Sequence, residues 1–316
     1  MNDVATITTG LDRVRRSLRP RPQTPPYDAS HEPVWRSDYV APQAASVPIR
    51  TMPEFGYSAD EIHHHATRPD GRAMVGPFQP LTEAGVQALK RVAAALEPTA
   101  ENNDYVVTRR RRDVEAASPF VRHMLSDARF LGHLSAIAGV PLVPHPIRSA
   151  GTQINYYSAD LHKNEVAKWH QDGMIYVFTM TLSDHSEHEG GDYYFYRGKG
   201  KDFEKGRAAG IEFGPDSPNV EKAPFQNAGD TMFTRGSRVY HAVTPVTSGT
   251  RTTFATSLYN PLEGWQDENE FWHSAPDDGL IQTVMNWARL YRANIAPGAY
   301  CRSINVELPD VSKGAG

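Results

Sequence analysis

A chain of 316 residues, 39% hydrophobic, 22% charged and 10% aromatic, suits one large domain with elaborations or two small ones, and its composition is that of an ordinary globular protein. A formal net charge of −4 provides no general basic field for nucleic acid, and a single cysteine, Cys301, excludes an internal disulfide and a cysteine-based zinc cluster. No apolar run approaches the roughly 18 residues of a transmembrane helix and no charged-then-apolar leader opens the chain, so a cytoplasmic protein with neither membrane nor nucleic-acid partner is expected.

Residues 1–50 include "RPRPQTPPYDASHEPVW", rich in proline and without helical or strand period, and read as an extended arm. Its Trp35 and Tyr39 favour partial docking. "LTEAGVQALKRVAAALEP" places Val86, Leu89 and Leu96 at helical spacing after Thr82, a good N-cap, and stops at Pro98. The run Arg109–Arg112 reads as a solvated face. "SPFVRHMLSDARFLGHLSAIAG" reads as one helix from the Ser118–Pro119 start to Gly139.

From Thr152 the character changes. "TQINYYS", "MIYVFTMTL", "DYYFY", "DTMFT", "RVYHAVTPV" and "TTFATSLYN" are β-branched and aromatic runs separated by Gly, Asp and Ser clusters. Six or more such strands suggest an antiparallel sandwich or barrel with the helices outside it. A last helix, "LIQTVMNWARLYRAN", follows.

The strand region carries the chemistry. "KWHQDG" holds His170 and Asp172 one residue apart, and alternate residues of an extended chain project to the same side. Alone the pair reads equally as polar neighbours on a loop. His241 in "RVYHAVTPV" adds a second imidazole, and two histidines with one carboxylate form the facial donor set of non-haem Fe(II) oxygenases. Arg251, ten residues on, keeps the same strand face by its even spacing and can grip a carboxylate with two parallel hydrogen bonds. Other histidines are read as surface: "HHH" at His63–His65, whose members point about 100° apart on a helix, and "SDHSEHEGG" with Asp184, His185 and His188. "EGG" at Glu189–Gly191 reads as a tight entry into a strand.

Together "WHQDG", "HEGGDYYFY" and "GDTMFTRGSRVYHAVTPVTSGTR" resemble the Fe(II)/2-oxoglutarate-dependent dioxygenase superfamily, in the style of its prolyl-hydroxylase-like branch. The resemblance covers roughly residues 150–262. It implies a fold of α+β class with a mainly β core, a double-stranded β-helix of jelly-roll or cupin-like form, with N-terminal and C-terminal helices packed outside. The implied organisation is a single oxygenase domain over residues 51–316 with its β-helix core at about 150–262.

The resemblance further implies Fe(II), 2-oxoglutarate as co-substrate and O2. His170, Asp172 and His241 would be the metal ligands and Arg251 the anchor of the distal 2-oxoglutarate carboxylate. "NYY" at Asn155–Tyr157 and the hydroxyl of Thr253 are similar to the family's co-substrate contacts, so Asn155, Tyr157 and Thr253 join Arg251; Ser158 stands where the plant branch has proline. Trp169, Met174, Tyr176 and Arg235 lie near the ligands in sequence and are candidates to touch substrate. The implied activity is hydroxylation of a small molecule, an amino acid or specialised metabolite, with release of succinate and CO2. Asp172 argues against halogenation, for which the family replaces the carboxylate by a small residue. Alternatives are a peptide or protein hydroxylase, a desaturase or cyclase, and a non-catalytic cupin-like metal binder. Homodimerisation is left open.

Overall fold

The computed structural model describes residues 15, 17–18, 25–63, 71–102, 109–159, 167–264 and 268–307. Within them two antiparallel sheets face one another, and helices cover the outer side of the larger. The strands are β1 (Ile49–Thr51), β2 (Arg72–Phe78), β3 (Glu101–Asn102), β4 (Arg109–Arg112), β5 (Val143–Pro144), β6 (Thr152–Ser158), β7 (Ala167–His170) and β8 (Tyr176–Thr181). There follow β9 (His188–Gly190), β10 (Tyr193–Tyr196), β11 (Val220–Lys222), β12 (Thr231–Arg235), β13 (His241–Val243) and β14 (Val246–Tyr259).

The larger sheet runs β1-β2-β12-β8-β14-β6-β4-β3, with β5 and β9 also pairing to β14, and the smaller runs β11-β10-β13-β7. The chain thus crosses between the sheets repeatedly, β6 to β7, β7 to β8, β9 to β10, β11 to β12, β12 to β13 and β13 to β14.

Strand parity assigns the side chains of β6, β8 and the second half of β14 to one of two environments. On β6, Ile154 and Tyr156 point outward into the helix-packed core, as do Tyr176, Phe178 and Met180 on β8 and Phe254 and Leu258 on β14. Their neighbours Gln153, Asn155 and Tyr157, Val177 and Thr179, and Arg251, Thr253, Ala255 and Ser257 point inward and line one cavity. The outer core meets the helix Glu83–Leu96, which buries Val86, Leu89, Val92 and Leu96 and starts at Thr82, whose hydroxyl accepts from the Gly85 N–H at 3.3 Å. Tyr156 donates its hydroxyl to the Ala93 carbonyl at 2.6 Å and ties sheet to helix.

Three readings change, and one strand was not read at all. The single helix expected over 118–139 is two, Pro119–Ser126 and Ala128–Ala138, because Asp127 leaves helical geometry and its carboxylate accepts from the Arg129 and Phe130 N–H groups. Arg109–Arg112 is strand β4 rather than a solvated face: Arg110 and Arg112 are largely buried and paired with Asp277 and Asp278. β2 was not legible, since "VGPF" carries a Gly–Pro pair that argues against a strand. His188, expected at the surface, is buried at 9% exposure with its ring nitrogen 2.9 Å from the Gly190 carbonyl.

His63 closes a short helix, and His64 and His65 lie outside the described residues. Most of residues 1–24 also lie outside them. Further along the arm Trp35 docks, its ring edge-on to Phe120 and Phe130 and its indole N–H donated to Asp127 at 3.0 Å.

Candidate metal centre

The smaller sheet supplies two imidazoles. His170 ends β7, His241 begins β13, and the two are direct register partners with ring centroids 4.2 Å apart. Each Nδ1 sits against a backbone carbonyl, His170 on Lys168 at 2.7 Å and His241 on Val239 at 3.1 Å. A carbonyl only accepts, so both Nδ1 atoms carry the proton and both Nε2 atoms present lone pairs.

Those lone pairs converge on Asp172. His170 Nε2 lies 3.5 Å from Asp172 Oδ1, and His241 Nε2 lies 3.5 Å from Asp172 Oδ2. The three donor atoms all fall within 4.8 Å of one another. Asp172 is held from behind by its N–H donating to the Gly236 carbonyl at 2.9 Å. A Cβ on Gly236 would stand 2.6 Å from Asp172 Oδ2 and 2.7 Å from the Met174 carbonyl, so only glycine permits this approach.

The electrostatics suit a cation. Burial works to raise the Asp172 carboxyl, but in the acid range, where the His241 imidazole is protonated, His241 and His170 outweigh it and hold the group at about 2. Burial pushes His241 down to about 4, aided by His170 and opposed by Asp172, so its imidazole is neutral and ready to ligate near neutral pH. Asp172 Oδ2 is buried without a hydrogen-bond partner. A buried, ionised, unpartnered oxygen between two imidazole lone pairs fits a divalent metal, and this donor set is the one that suits Fe(II).

The same cavity, of about 130 Å³, reaches from the triad to the inner face of the larger sheet. At its far end Arg251 is 3% exposed, with its guanidinium carbon 5.5 Å from the centre of the Tyr157 ring and Nη1 without a partner. Gly191 makes that seat, since a Cβ there would stand 2.9 Å from Arg251 Cδ. "EGG" is therefore part of the site's construction as well as a strand entry. Asn155 and Thr253 are register partners beside Arg251, and Asn155 Nδ2 donates to Thr253 Oγ1 at 3.1 Å while Asn155 Oδ1 stays unpartnered.

All seven residues expected to bind metal or co-substrate line this cavity, and so does Met174. Trp169, Tyr176 and Arg235 do not, which corrects their assignment toward substrate. Trp169 alternates with His170 on β7, turns away, packs on Phe203 and donates its indole N–H to the Phe213 carbonyl. Tyr176 faces the outer core and donates its hydroxyl to Glu263, and Arg235 is its register partner across β12 with its guanidinium over the Tyr176 ring.

The cavity also has residues that the sequence did not offer. Tyr193 stacks on the His241 ring with centroids 5.4 Å apart and fixes its plane. Arg110, Arg112 and Gln153 line one wall, and His273, Ser274 and Asp277, at the start of the C-terminal helix Ala275–Ile295, line the cover. Gly173 lets that cover close, because a Cβ there would stand 2.3 Å from His273 Cβ.

No protein-family model matches the chain, and no curated protein matches it. Among solved structures the chain is similar to HygX from Streptomyces hygroscopicus with nickel and 2-oxoglutarate bound, at 16% identity over 58% of this chain and 79% of that one, with a TM-score of 0.42. It is similar to the non-heme alpha-ketoglutarate-dependent epimerase SnoN from nogalamycin biosynthesis, at 15% identity over 60% and 78% with a TM-score of 0.45. EctD from S. alaskensis with bound Fe gives 15% identity over 71% and 88% with a TM-score of 0.44. Likeness at this level carries no argument about this chain's chemistry, which stands on its own residues.

Proposed function

We propose that the protein is an Fe(II)- and 2-oxoglutarate-dependent oxygenase that hydroxylates an unactivated C–H bond of a small molecule and releases succinate and CO2. The strand orders β12-β8-β14-β6 and β11-β10-β13-β7 support a double-stranded β-helix as its core. The carrying observation is one cavity with an unpartnered buried carboxylate oxygen at one end, Asp172 Oδ2, and an unpartnered buried guanidinium nitrogen at the other, Arg251 Nη1. A metal satisfies the first and a dicarboxylate reaching from the metal satisfies the second.

His170, Asp172 and His241 would hold the metal on one face and leave its other positions to co-substrate and O2. When bound, Fe(II) with 2-oxoglutarate and O2 supplies the oxidising power to remove a hydrogen atom from carbon. The chain's own share is positioning. Arg251 and Thr253 grip the distal carboxylate, and the Tyr157 ring under the guanidinium holds Arg251 toward the cavity. Tyr193 and the two backbone carbonyls fix the imidazoles. His273, Ser274 and Asp277 cover the cavity and exclude water.

That cover and the small volume favour a small-molecule substrate over a polypeptide. The reading extends to a cytoplasmic enzyme with residues 51–316 as one catalytic domain after the proline-rich arm. Its test is anaerobic: Fe(II) and then 2-oxoglutarate are added to apo-protein. A weak visible charge-transfer band of a chelated 2-oxo acid is expected. Iron binding with no band on adding 2-oxoglutarate would overturn the proposal.

A further inference from the structure

The C-terminal helix Ala275–Ile295 is amphipathic in the wrong sense. A helix laid on a protein buries its apolar stripe and exposes its polar one. Gly279 (φ 75°, ψ 165°) breaks this one, and the buried positions are Ala275 and Asp278 before the break and Thr283, Asn286, Leu290 and Ala293 after it, while Leu280, Ile281, Val284, Met285, Trp287, Tyr291 and Ile295 are exposed. Trp272, just before the helix, is exposed as well. The inward polar groups are satisfied: Asp278 accepts from Arg112 at 2.8 Å, from Asn286 at 2.8 Å and from Ser149 at 2.8 Å. The orientation is thus fixed by a buried polar network, and the apolar side is left facing out.

The exposed set is one surface. Leu280, Val284, Trp287, Tyr291 and Ile295 recur every three or four residues along a single helix face, with Ile281 and Met285 beside them. Trp287 and Tyr291 touch, with ring centroids 5.6 Å apart. With about 150–250 Å² for a large side chain and these exposures of 43% to 80%, the seven residues of the helix face offer on the order of 700 Å². That exceeds the roughly 300–600 Å² of the largest apolar patch on a typical monomer, and it approaches the roughly 800 Å² one partner brings to a standard interface.

We propose that this face is the contact between two copies of the chain, packed as an antiparallel helix pair about a two-fold axis near Trp287 and Ala288. The stripe is self-complementary in that orientation. Leu280 meets the partner's Ile295, Val284 meets the partner's Tyr291, and the indole of Trp287 lies over the small Ala288. The helix dipoles select the same orientation: antiparallel packing opposes them, whereas parallel packing aligns them and sets the exposed Arg292 on Arg292. His273, Ser274 and Asp277 lead into this helix and line the cavity, so the dimer contact braces the cavity's cover.

The full-length chain is tested by sedimentation velocity at micromolar concentration. A mass of about twice 35.1 kDa is expected, and Trp287→Glu should weaken dimerisation about thirtyfold or more with an unchanged circular dichroism spectrum. Should that variant not fold, two variants with one added cysteine each decide. Leu280→Cys mixed with Ile295→Cys should cross-link on mild oxidation, neither should cross-link to itself, and the buried Cys301 stays out of the reaction. A monomer at all concentrations overturns the proposal, as does a dimer that Trp287→Glu leaves intact. A monomer that pellets with phosphatidylglycerol vesicles overturns it in favour of a membrane surface.

Discussion

Arg112 of β4 and Asp278 of the C-terminal helix lie 166 residues apart in sequence and form a 2.8 Å hydrogen-bonded ion pair. Arg110 and Asp277 form a second pair beside it, and Arg110, Arg112 and Asp277 also line the cavity. The edge of the larger sheet thereby holds the cover over the candidate metal centre. Removing one partner of a buried pair costs about 3–5 kcal/mol, because the other charge is left uncompensated. Arg112→Ala should lower the unfolding free energy by that order and make the C-terminal helix the first site of limited proteolysis. Protease resistance equal to the parent would show that the helix is held by other contacts.

The second prediction concerns the metal. Adding Fe(II) anaerobically, or Mn(II) as a redox-inert probe, should raise the thermal midpoint. The stabilisation is about 2.7 kcal/mol at a hundredfold excess over Kd. Asp172→Ala should abolish that rise while the apo-protein still unfolds cooperatively. An equal metal-dependent rise in the variant would remove Asp172 from the ligand set.

Gly236 provides a subtler probe of the same centre. Gly236→Ala adds one methyl group 2.6 Å from Asp172 Oδ2, so the carboxylate must move while the chemistry of all three ligands stays. Metal affinity should fall about 10–100-fold, the range seen when ligand supports are lost. Isothermal titration with Mn(II) reads the change directly, and unaltered affinity would mean the carboxylate has room to shift.

Arg251→Ala should raise the 2-oxoglutarate requirement more than tenfold, since a charge-assisted, two-point contact buried at 3% exposure is lost. Arg251→Lys should recover only part, because an ammonium cannot make the paired contact. Succinate release against 2-oxoglutarate concentration is the measurement. An unchanged requirement in the alanine variant would place the anchor elsewhere.

The pH dependence of stability is carried in part by His145, which lies away from the metal centre. Burial pushes it down to about 4, and its Nδ1 accepts the Ile147 N–H at 3.0 Å, so that atom cannot take a proton without losing the bond. Above its unfolded value of about 6.5 both states are neutral and the residue adds no pH dependence. As pH falls from 6.5 toward 4 the unfolded chain binds a proton that the folded one refuses, so stability falls, by on the order of 3 kcal/mol at the acid end. Urea unfolding at pH 7.5 and pH 5 should show His145→Gln losing less between the two than the parent does. Parallel losses would assign the acid sensitivity to other groups.

Much of the site was legible before any coordinates. Donor type picks out His170, Asp172, His241 and Arg251, and the one-residue spacing brings His170 to Asp172. Even spacing does not bring His241 to Arg251: they lie on β13 of the smaller sheet and β14 of the larger, and they line one cavity because the two sheets face each other. Strand geometry also explains what was misjudged. Trp169, Tyr176 and Arg235 are near the ligands in sequence, but parity turns each of them to the other side of its strand, and nearness along the chain says nothing of facing. Met174 lies on the cavity side and lines it.

What the sequence by itself determined was the local chemistry: which residues can ligate, that strands follow from Thr152 on, and that Thr82 and Ser118 start helices. Only the tertiary structure decided that Arg110 and Arg112 are buried, since their partners Asp277 and Asp278 come from the far end of the chain. It likewise decided which face of the C-terminal helix looks inward. Its apolar periodicity alone points Leu280, Val284, Trp287 and Tyr291 at the core. The buried ion pair of Asp278 with Arg112 and its hydrogen bonds from Ser149 and Asn286 outweigh that preference, because an ionised carboxylate costs far more to leave unpartnered inside than an aliphatic side chain costs to leave exposed.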